Sequence, residues 1–184
     1  MSKSSAEYLA AIDDLAGGNG RVYEVTDLGE VSPVLVAAYD HVPDAGHMTA
    51  FTFGLSNAKH PEWTHGKPEL MISVRSIDHA WALCMGEIVK NNRDYTLFEY
   101  GSILHFRERI IDNCPLTSFL VFVNSLLNES QQTLRLSDRK VNIGQLYPIY
   151  ESEARVVRDI GVERFFWELG IDFSNLSRES VRLD

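Results

Sequence analysis

Cysteine is scarce in this chain. Only Cys84 and Cys114 occur in 184 residues, too few for a disulfide framework and too far apart for a C-x-x-C pair. Both are read as structural thiols. Long apolar runs are missing too. The longest, Val34 to Tyr39, is about six residues where a membrane span needs ~18. No apolar stretch follows Met1-Ser2-Lys3-Ser4-Ser5, so a secretory signal is not expected and the chain is read as cytoplasmic. Basic residues are outnumbered, 17 Lys and Arg against 26 Asp and Glu, for a net charge of −9. A phosphate backbone needs a basic face, which argues against nucleic acid as a direct ligand. Internal repeats, low-complexity tracts and a linker are absent as well, and 184 residues fit a single domain over 1–184.

What the chain does contain is ordinary for a soluble globular protein: 45% hydrophobic, 23% charged and 10% aromatic residues. Its negative charge is uneven. Residues 1–62 carry nine acids (Glu7, Asp13, Asp14, Glu24, Asp27, Glu30, Asp40, Asp44, Glu62) against Lys3, Arg21 and Lys59. Such a surface can steer a basic protein into encounter. Plain solubility is the simpler explanation.

Periodicity lays out the elements. Ser4 with Glu7 fits a capping box, and Tyr8, Ile12 and Leu15 follow at helical spacing until Gly17-Gly18-Asn19-Gly20. Strands are expected at Arg21–Asp27, Val34–Tyr39 and Met48–Phe53. Another follows where Leu70, Ile72 and Val74 form one apolar face. Trp81, Cys84, Met85 and Ile88 make an i, i+3, i+4, i+7 stripe, with Ser76 as cap and Asp78 at its N-terminal end. Further strands are expected at Ser102–Phe106, Ser118–Val123 and Val141–Tyr147, the last stopped by Pro148, which should keep it from running on as a central strand. Helices at Ser152–Ile160 and Val162–Leu169 end at Gly161 and Gly170, and residues 171–184 are expected to wrap loosely over the surface. One mixed sheet with helices packed on it is the economical architecture.

Catalytic signatures are thin. His60, Glu62 and His65 carry ligand types that suit zinc, but Pro61 leaves their directions undetermined and no third or fourth ligand has a recognisable spacing. Asp40, His41, Asp44 and His47 invite the same thought. Ser56 lacks the second glycine of a nucleophile elbow, Cys84 sits in an apolar stripe where a thiol is inert, and the Gly17–Gly20 loop follows a helix with no Lys-Ser/Thr after it. Trp63, in a polar loop, is a candidate interface anchor or a residue packed back on the sheet. Phe165, Phe166 and Trp167 are read as core.

Three segments carry a resemblance. They are Phe53-Gly54-Leu55-Ser56, then Pro68-Glu69-Leu70 leading to the Trp81 helix, then Gln145-Leu146-Tyr147-Pro148-Ile149-Tyr150-Glu151-Ser152-Glu153 with Gly161-Val162-Glu163. In that order the chain resembles the Suppressor of fused (SUFU) domain family over most of residues 47–181. The resemblance implies an α/β (α+β) fold, a mixed and mainly antiparallel sheet flanked by helices, and a non-enzymatic protein-binding role. Stand-alone bacterial members resemble immunity proteins encoded beside polymorphic toxins, so a basic toxin domain is the expected partner. No cofactor, metal, nucleic acid or membrane is expected.

In the residues' own terms, Gly54 permits positive φ after a strand, and Glu69 must find a partner, either in a structural ion pair or at the turn amides. Asp40, Asp44, Glu62 and Trp63 are the candidate partner-binding residues, on a rim formed by 40–47 and 57–65. Two alternatives stand beside this: a small metal-dependent hydrolase using His60, Glu62 and His65, and a regulatory self-association domain.

Overall fold

Alternating apolar residues build one sheet, and its pleat sends neighbouring side chains to opposite faces. The computed structural model describes residues 3–26, 33–106, 109–112 and 114–182. Asp27 and Glu30, counted above in the acidic third, lie outside the described residues.

Among the described residues the order is α1 (Lys3–Ala16), β1 (Arg21–Val25), β2 (Val34–Asp40), β3 (Met48–Phe53), β4 (Lys67–Val74), α2 (Ala80–Asn92), β5 (Ile103–His105), β6 (Ser118–Phe122), β7 (Thr133–Arg135), β8 (Lys140–Ile149), α3 (Glu153–Ile160) and α4 (Val162–Trp167). The strands lie in the order β1-β2-β3-β4-β8-β6-β5, with β7 on the early part of β8. Every pairing is antiparallel except β4 with β8, which runs parallel with Ile72 beside Leu146. This is the mixed, mainly antiparallel sheet that the resemblance implies.

Each face carries its own core. On one, Val36, Ala50, Ile72, Val121 and Leu146 pack against Trp81, Met85 and Ile88 of α2. The buried set of α2 also includes Ala82, Gly86 and Val89; Gly86 lies against Val25 and Val36 of the sheet, and Phe98, Cys114 and Leu116 from the following loops join the same core. On the other face, Tyr8 and Ile12 of α1 cover Ala37, Phe51 and Met71, while α3 and α4 cover Leu120, Phe122, Tyr147 and Ile149. Thus β4 is buried on both faces rather than one, with Met71 as inaccessible as Ile72.

Four expectations are corrected. Pro148 does not end its strand: β8 lies inside the sheet and runs to Ile149, with Pro148 opposite Phe119. Its pairing with β4 has already ended at Leu146, so β8 is locally an edge there, and the Pro148 carbonyl accepts from Arg178 Nη2 at 3.2 Å. Glu7 closes no capping box. It accepts from the Ser137 amide at 2.8 Å, and Ser4 lies buried inside α1. Ser76 lies outside α2, where its hydroxyl accepts from the Asp78 amide at 3.0 Å. Finally, residues 171–182 are fastened rather than loose, as the next section describes.

Candidate functional site

The sequence-picked residues fall in separate places. Asp40 ends β2, and its carboxylate lies 2.7 Å from His79 Nε2, while His79 Nδ1 lies 2.5 Å from the Tyr23 hydroxyl. This chain ties β1, β2 and the start of α2 together. His41, at φ 62°, accepts from the Gly46 amide through Nδ1, so the Asp40, His41, Asp44 and His47 set turns apart rather than converging. His60 Nε2 lies 2.6 Å from the Arg93 carbonyl. A carbonyl only accepts, so that nitrogen carries the proton and has no lone pair left for a metal. Its ring leans on Trp63 at 4.3 Å, while Glu62 and His65 are exposed. Among the described residues no three or more His, Cys, Asp or Glu side chains are grouped to hold a metal ion.

Trp63 turns inward. Its indole donates to the Leu97 carbonyl at 3.1 Å and packs against the α2-side core. Asp40 pairs with Met48 at one end of β3, whereas the 57–65 loop follows Phe53 at the other, a separation of roughly 17 Å at the strand rise. The structure does not join segments 40–47 and 57–65 into one rim.

The first two segments of the resemblance form a single buried clamp. Glu69 is fully inaccessible; its Oε1 accepts from the Gly54 and Ser56 amides at 2.8 and 2.9 Å, and Oε2 from Thr52 Oγ1 at 2.7 Å. Gly54 sits at φ 137°, where a Cβ would lie 2.9 Å from the Pro33 carbonyl, so no other residue fits. Burial pushes the Glu69 carboxyl upward, and the amide and hydroxyl donors pull it part of the way back. Leu55 tucks beneath, fully buried.

The third segment ends in a second buried carboxylate. Glu153 meets Arg178 in a two-pronged ion pair at 2.6 and 2.7 Å and also accepts from the Tyr150 and Val181 amides, both at 2.9 Å. Arg178 lies over Tyr150 and Phe173, and Phe173 stacks on Phe166. These contacts strap residues 171–182 to the body. Neither Glu153 nor Arg178 was singled out from the sequence, since no periodicity links positions so far apart.

Between the patches under α1 and under α3 and α4, the second face of the sheet stays open as a cleft of about 440 Å³. Ser73 and Gln145 lie in its floor, the 43–47 loop with Asp44 and His47 forms one side, and Leu126, Phe166 and Trp167 form another. Trp167 is 64% exposed and Leu126 44%. Trp167 is therefore no core residue, contrary to the sequence reading. Phe165 is fully buried, and Phe166 props the indole at 4.7 Å. Tyr147 also lines the cleft, with its hydroxyl donating to the Val123 carbonyl at 2.6 Å and its burial pushing the phenol up to about 12. Only Asp44 of the candidate partner-binding residues reaches this cleft.

Comparison with known proteins fits this geometry. The family model described as Suppressor of fused protein (SUFU) matches residues 30–179. No curated protein matches the chain. Among solved structures, a SUFU homologue from Neisseria gonorrhoeae aligns with a TM-score of 0.74 at 14% identity, over 96% of this chain and 95% of that one. A chain of a Sufu–Fu complex aligns at 0.72 and 14%, covering 95% of this chain and 90% of that one. Drosophila Suppressor of Fused aligns at 0.63 and 13% over 84% of this chain, which spans 44% of that longer protein. The chain belongs to the SUFU family.

Proposed function

We propose that this member of the SUFU family is a protein-binding domain that works by presenting a preformed surface and not by catalysis. The observation that carries the reading is the open sheet face flanked by Trp167 and Leu126, large apolar side chains left exposed on rigid backing. Aromatic anchors of this kind dominate interface energetics. The Sufu–Fu complex among its structural relatives supports the same role.

The finer reading is an immunity protein that neutralises a basic toxin domain of a polymorphic toxin system, in the cytoplasm. A net charge of −9 suits a cationic partner, since complementary fields speed encounter. Asp44 is the acid of the original set that lines the open face; Asp40, on the α2 side, and Glu62 with Trp63 at the far end would serve further contacts. The test is co-expression with a toxin domain encoded beside this chain, read by growth and by pull-down. Rescue with a stable complex is expected. Toxicity unchanged with no complex would remove the immunity role.

A further inference from the structure

We infer that the cleft on the open sheet face captures a short segment of the partner, pairing its peptide group with Gln145, His47 and Ser73, an apolar side chain with Trp167 and Leu126, and a basic side chain with Asp44. This rests on the protein-binding reading and gives it a face and a ligand chemistry.

The floor holds unspent hydrogen-bonding capacity. Gln145 is 3% exposed, and its Oε1 accepts from the Ser125 amide at 3.0 Å, which fixes which end of the carboxamide is oxygen. Its Nε2 then lies on the other side and has no partner among the described residues. Its two donor hydrogens are left for a ligand acceptor in the cleft. His47 Nδ1 is buried and unpartnered beside the same cleft, which costs free energy until a ligand supplies a partner. Thr49 Oγ1 donates its single proton to the Val42 carbonyl at 2.7 Å, so the Ser73 hydroxyl, 2.9 Å away, gives its own proton to Thr49. Ser73 is left with lone pairs to offer.

A donor, an acceptor and a ring nitrogen on one floor match a peptide group, which brings one carbonyl and one N–H. The walls are apolar: Pro43, Leu126, Phe166, Trp167 and Phe173. Asp44 at the rim is exposed and forms no ion pair among the described residues, whereas Asp172 is paired with Arg75 at 3.1 Å. Asp44 is therefore the carboxylate free for an incoming lysine or arginine. Few polar groups converging within an apolar cleft is the usual make-up of a specific binding site.

The test is titration of the full chain with acetyl-Ile-Lys-Leu-amide, followed by side-chain amide and indole resonances. Saturable shifts at Gln145 Nε2 and Trp167 Nε1 are expected. Binding should be weakened by Trp167→Ala, weakened about two- to fivefold by Asp44→Asn, weaker still for the peptide with Glu in place of Lys, and unchanged by Tyr95→Ala, which alters an exposed ring outside the cleft. Silence at Gln145 and Trp167, or an equal response to the Glu peptide, would overturn the proposal. A partner protein held equally by wild type and Trp167→Ala would remove the cleft while leaving protein binding intact. Failure of wild type to bind any partner would remove the wider reading instead.

Discussion

Glu153 and Arg178 show how much rests on a single pair. Arg178→Ala would leave a fully buried carboxylate with two amides and no cation, a change that typically costs about 3–5 kcal/mol. Urea denaturation should read that loss, and proteolysis should show cleavage within 171–182 before the rest of the chain opens. Glu69 makes a different statement because its partners are neutral. Its folded-state pKa lies above the unfolded value, so its contribution to stability is fullest below the unfolded pKa and is lost as pH rises through the folded one. Wild type should therefore lose ground to Glu69→Gln between pH 5 and pH 8 in urea unfolding; a gap moving the other way would contradict the burial argument. That Glu69 needs a partner was legible in the sequence, because a charge in an apolar strand start must be met; that turn amides and not a cation meet it was not. The Glu153 pair was not, because its partner comes from a polar tail without periodic signal.

Elements were legible in proportion to their apolar pattern. The α2 stripe, β3 and the alternation in β4 could be read directly, since burial on a helix or pleat imposes its own period. The three-residue β7 has no such pattern and pairs only because β8 offers an edge. Pro148 misled because its effect depends on which neighbour is present at that one position. Gly86 in α2 yields a prediction at this scale. A Cβ there would lie 2.7 Å from Val25 Cγ2 and 2.8 Å from Val36 Cγ2, both on stiff β-branched side chains. Gly86→Ala gains about 1 kcal/mol of helix propensity but faces an overpacking cost of about 1–3 kcal/mol. A lowered melting temperature is expected, and a raised one would mean that α2 can shift away from the sheet.

At the scale of the whole molecule, the cleft was invisible in the sequence because no segment contains it. It is assembled from the β2–β3 loop, β4, the loop after β6, β8, α4 and the C-terminal strap, and their meeting depends on the parallel β4–β8 pair. Charge, by contrast, is readable from composition alone. If a chain of net charge −9 meets a cationic partner, association should slow about tenfold or more between low and high salt while dissociation changes less. Stopped-flow mixing at two ionic strengths reads this directly, and a salt-independent on-rate would remove steering from the account.

Hydrogen exchange across the full chain, with and without its bound partner, tests the account where it is most exposed. Protection is expected in 43–49, 124–127 and 166–174, the segments around the open sheet face. A tight complex with those segments unprotected and the change confined to the α2 side would contradict it.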